Sequence, residues 1–107
     1  MRDKDGTIDE IIRQALEIRM KYHTLEQEYH GSEWSVEEDA LAYLTDAGLV
    51  GRNVMANQGR WPNGDHAKEL SHKLAENIWW LIVLADRSGV DIKQALRTFL
   101  KDKQESL

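Results

Sequence analysis

The sequence predicts an all-α protein, a small four-helix bundle, on three observations. Apolar residues recur at three- and four-residue intervals in four successive stretches, each stretch opens on a capping residue, and no strand-like run interrupts them. Helices of this length joined by short connections fold back antiparallel.

The first helix is placed at about residues 8–29. Thr7-Ile-Asp-Glu10 is a capping-box pattern, and Ile8, Ile11, Ala15, Ile18, Tyr22, Leu25 and Tyr29 follow in an alternating three-four spacing that predicts one buried stripe. His30-Gly31-Ser32 ends it. Ser35-Val-Glu-Glu38 is a second box and opens a helix over about 36–56, with Val36, Ala40, Tyr43, Leu44, Ala47, Val50 and Val54 inward. Between Asn57 and Asp65 stand two glycines, the only proline and an Asn-Gly pair, which predict an ordered loop. Asp65 is the expected N-cap of the third helix, at about 66–87, with Leu70, Leu74, Ile78, Leu81 and Leu84 inward. Ser88-Gly89 ends that helix, because glycine accepts the left-handed C-cap conformation. Asp91, boxed by Gln94, opens the last one at about 92–101, and the polar tail 101–107 is expected to fray.

At 107 residues, 41% hydrophobic and 31% charged, the chain reads as one soluble domain, 1–107. Its longest apolar run, Ile78 to Ala85, falls well short of the roughly 20 residues needed to cross a bilayer, and Met-Arg-Asp-Lys-Asp-Gly opens no signal peptide. The expectation is a cytoplasmic protein with no membrane partner. Cysteine is absent, so disulfides, thiolate metal sites and cysteine nucleophiles are excluded. A net charge of −5 with scattered Lys and Arg argues against a nucleic-acid partner. Trp79, Trp80, Ile82 and Val83 leave the third helix apolar around most of its circumference, which implies a face buried against a second subunit and hence a homodimer.

No nucleophile elbow or phosphate-cradling glycine pattern occurs. The informative residues are acids on helices two and three. Glu76 stands where helix three turns from amphipathic to wholly apolar, a costly place for a carboxylate unless it is paired or bound to a cation. Asp46 lies among apolar residues in the middle of helix two. Two such acids at similar depth suit one hard divalent cation such as Mg²⁺. Equally, Asp46 could face solvent and Glu76 could pair with Lys73. Glu69, His72 and Glu76 share one helical face, and Glu-x-x-His spacing occurs in carboxylate-bridged metal bundles, so Glu69 and His72 are further metal candidates. Asp39 sits near the start of helix two, where an acid meets the macrodipole favourably. Trp34 and Trp61 could each stack on a base or pack against the bundle.

The order of a long helix, Trp34-Ser-Val-Glu-Glu, Tyr43-Leu-Thr-Asp-Ala-Gly-Leu-Val, then His72-Lys-Leu-Ala-Glu-Asn-Ile-Trp-Trp-Leu-Ile-Val-Leu-Ala-Asp-Arg-Ser-Gly-Val-Asp-Ile resembles the MazG-like, all-α nucleoside triphosphate pyrophosphohydrolases over most of the chain. That superfamily commonly carries Glu-x-x-Glu on one helix and Glu-x-x-Asp on the next, binds Mg²⁺ with the four acids and splits nucleotides into a monophosphate and pyrophosphate. The resemblance implies a nucleotide partner, Mg²⁺ held by Asp46 and Glu76, and hydrolysis of (deoxy)nucleoside triphosphates. It also departs from the pattern: Leu49 and Lys73 stand where the other two acids would be. Four carboxylates can neutralise two divalent ions, whereas two suit one at most. Lys73 would repel a metal yet could hold a phosphate oxygen, with Trp34 as a further substrate-binding candidate. The alternative expectation is a catalytically degenerate relative that binds a nucleotide or a protein as a dimer.

Overall fold

Local capping chemistry fixes the helix ends in the computed structural model, which describes residues 6–60 and 66–107. Four α-helices follow in order, α1 (Ile8–His30), α2 (Val36–Asn57), α3 (His66–Arg87) and α4 (Ile92–Ser106), with no strand among the described residues. The Thr7 side chain accepts the Glu10 N–H, Ser35 and Glu38 form a complete reciprocal box, and Asp91 accepts the Gln94 N–H. Only the Ser35 box closes with both side chains. Glu10 turns to Arg13 and the Gln94 amide to Thr98, so those two starts keep one half of the motif.

At the other end of α3, Gly89 takes φ 72° and Val90 N–H reaches back 2.8 Å to the Ala85 carbonyl, the six-to-one bond of a Schellman turn. The helix therefore stops where its sequence says it should. α4 does not. It runs past residue 101 to Ser106, because the tail is made of good helix formers and is tied by Lys103 over the Phe99 ring and by Ser106 Oγ donating to the Lys103 carbonyl. The loop positions Trp61 to Asp65, including the expected cap and stacking tryptophan, lie outside the described residues.

The chain divides into two compact units. The first comprises Met1–Glu33 and Ile82–Leu107. Its buried apolar residues are Ala15 on α1 and Ile82, Val83 and Ala85 at the end of α3, and Lys93 on α4 grips both carboxylate oxygens of Asp9 at 3.1 Å. The second unit, Trp34–Leu81, joins α2 to the larger part of α3 and buries Asp39, Asn53, Ala56 and Trp80.

Which face of each helix is covered differs from the reading of apolar stripes. On α1 the buried positions are Ala15, Arg19 and His23, while six members of the expected inward stripe, Ile8, Ile11, Ile18, Tyr22, Leu25 and Tyr29, are 42 to 76% exposed. The covered side carries Ile12, Ala15 and Leu16 together with a satisfied ion pair. Both Arg19 guanidinium nitrogens of the outer fork donate to Glu26, at 2.8 and 3.4 Å, with side chains only 4% and 12% exposed, and His23 Nδ1 lies 3.3 Å from the same carboxylate. Charges two turns apart on one face can be buried when they neutralise each other, and the apolar stem of the arginine packs as a hydrocarbon would.

On α3 the same rotation occurs. Leu74, Ile78 and Leu81 are exposed, and Lys73, Glu76, Asn77 and Trp80 form the covered side. Trp80, Ile82 and Val83, which suggested a subunit face, are buried within the chain itself. Trp79 tilts against Trp80 at 54°, ring centres 4.7 Å apart. On α2, Leu44 and Val54 are exposed as well.

Candidate functional site

Asp46 and Glu76 do come together, and Lys73 stands between them. Asp46 lies mid-way along α2, and Lys73, Asn77 and Trp80 recur at four and three residues on α3, so all three face α2 from one side. Lys73 Nζ donates to Asp46 Oδ1 at 3.0 Å and to Glu76 Oε1 at 2.9 Å. The indole N–H of Trp80 donates to the second Asp46 oxygen at 2.8 Å. Asn77 adds a backbone clamp, its amide nitrogen donating to the Lys73 carbonyl at 2.6 Å and to the Asp46 carbonyl at 3.2 Å. Asp46 is thus satisfied at both side-chain oxygens and at its carbonyl.

The site is half-buried, with the Asp46, Lys73 and Glu76 side chains 14%, 24% and 28% exposed. The hydrogen bond to Glu76 and then that to Asp46 hold the Lys73 ammonium above its ordinary pKa, outweighing the opposing effect of burial. The lysine is therefore a fixed positive charge at neutral pH.

Mg²⁺ does not fit this donor set as it stands. The ion takes oxygens at about 2.0–2.1 Å in near-ideal octahedral order. Here both acids already point at an ammonium, and one oxygen of Asp46 accepts from an indole that a metal would have to displace. Among the described residues no group of three or more His, Asp or Glu side chains is placed to share a metal. His72 is 73% exposed in its side chain and lies 3.8 Å from Glu76 through Nε2, and Glu69 is exposed, so Glu69-x-x-His72 faces solvent. Leu49, one turn beyond Asp46, offers no oxygen.

Trp34 lies elsewhere on the same unit. With Leu41, Ala42, Thr45 and Glu38 it lines an open groove that Lys73 does not enter. Glu38 is occupied there by the Ser35 backbone. Asp39, read as a helix-start acid, is wholly buried. Sequence reasoning missed Asn77 and Trp80 as members of the acid site. The signal was present as the i, i+4, i+7 series from Lys73, but it was hidden inside a run whose apolar character points to core.

The chain matches no family model, no curated protein and no solved structure. No helix among the described residues is long and apolar enough to cross a membrane.

Proposed function

We propose that this chain is a catalytically degenerate relative of the all-α nucleoside triphosphate pyrophosphohydrolases, acting as a homodimeric protein-interaction module. The observation that carries the reading is Lys73 Nζ within 3.0 Å of both Asp46 and Glu76, the two acids that the resemblance marks as metal ligands. An internal ammonium there does the charge-neutralising work of a cation without offering coordination sites for water or phosphate. Hydrolysis of a (deoxy)nucleoside triphosphate would require Mg²⁺ to evict that ammonium from hydrogen bonds with both acids. The acid pair is better explained as a structural bridge from α2 to α3.

Pyrophosphate release from a panel of standard and modified triphosphates, with Mg²⁺ or Mn²⁺, tests this. No turnover is expected. Turnover that Asp46→Asn and Glu76→Gln each abolish would overturn the reading and restore the hydrolase. The double variant Leu49→Glu, Lys73→Glu is expected to gain divalent-cation binding by calorimetry, since it supplies the two missing acids.

A further inference from the structure

We draw no further inference here: the strongest candidate, the apolar side of α4, on which Leu96, Phe99 and Leu100 stand 46 to 56% exposed in a helix that buries no residue, carries nothing because nothing in the structure shows what covers it.

Discussion

Replacing Lys73 by Met keeps most of the stem and removes the charge that holds Asp46 and Glu76 together. Each acid oxygen lies 2.9 to 3.0 Å from Nζ, so the two carboxylates stand on the order of 5 Å apart and repel by about 3 kcal/mol at an effective dielectric of 20. Two charge-assisted hydrogen bonds are lost as well. Side-chain rearrangement and water entry at a site 14 to 28% exposed offset much of this, and a net loss of about 2 kcal/mol at pH 7 is expected. In thermal unfolding followed by circular dichroism, that is a drop in Tm of roughly 10 °C.

The pH dependence carries the sign. Protonating either acid ends the repulsion, so the deficit of the variant should shrink as the pH falls through the carboxylate range. At the alkaline end the wild type should move instead. A lysine whose folded pKa is raised contributes stability that is full below its ordinary 10.5 and lost as pH rises through the higher folded value, so the wild type should weaken more than the variant there. Millimolar Mg²⁺ should stabilise Lys73→Met and leave the wild type unchanged. A variant as stable as wild type at pH 7, or a deficit that persists undiminished at pH 4, would refute the reasoning.

Three further outcomes follow from the same geometry. Trp80→Phe removes the 2.8 Å donor to Asp46 while keeping an aromatic ring, and should cost about 1–3 kcal/mol in urea unfolding. Arg19→Met should cost about 3 kcal/mol in the same assay by taking the guanidinium from the nearly buried Glu26 and leaving its charge to His23, whereas the double change Arg19→Met, Glu26→Met should recover most of it. Gly89→Ala meets nothing within 4 Å, so its loss of about 1 kcal/mol comes from forcing an alanine to φ 72°, and a neutral result would show that the turn relaxes.

The local features were legible because their causes are local. Ser35 and Glu38, Asp91, Gly31 and Gly89 set helix ends through bonds three to five residues long, and the helices begin and end near where those residues stand. Even the Lys73–Glu76 pair could be read as one of the open alternatives, since three residues on a helix bring two side chains together. The length of α4 was not legible, because a polar tail resembles a fraying one until its own i, i+3 and i, i+4 contacts are seen.

The sequence by itself determined four helices, the N-caps of α1, α2 and α4 and the presence of apolar stripes, because propensity, capping and periodicity act within a turn or two. It could not determine what covers each stripe. A period says which residues share a face, but only packing says whether a neighbour lies there, and in α1 the covered side is the one held by Arg19 and Glu26. The tertiary structure alone brought Asp46 to Lys73 and Trp80, 27 and 34 residues away, and so showed an acid pair closed around a lysine. Contacts at that separation depend on which helix faces meet, and no local interaction records that choice.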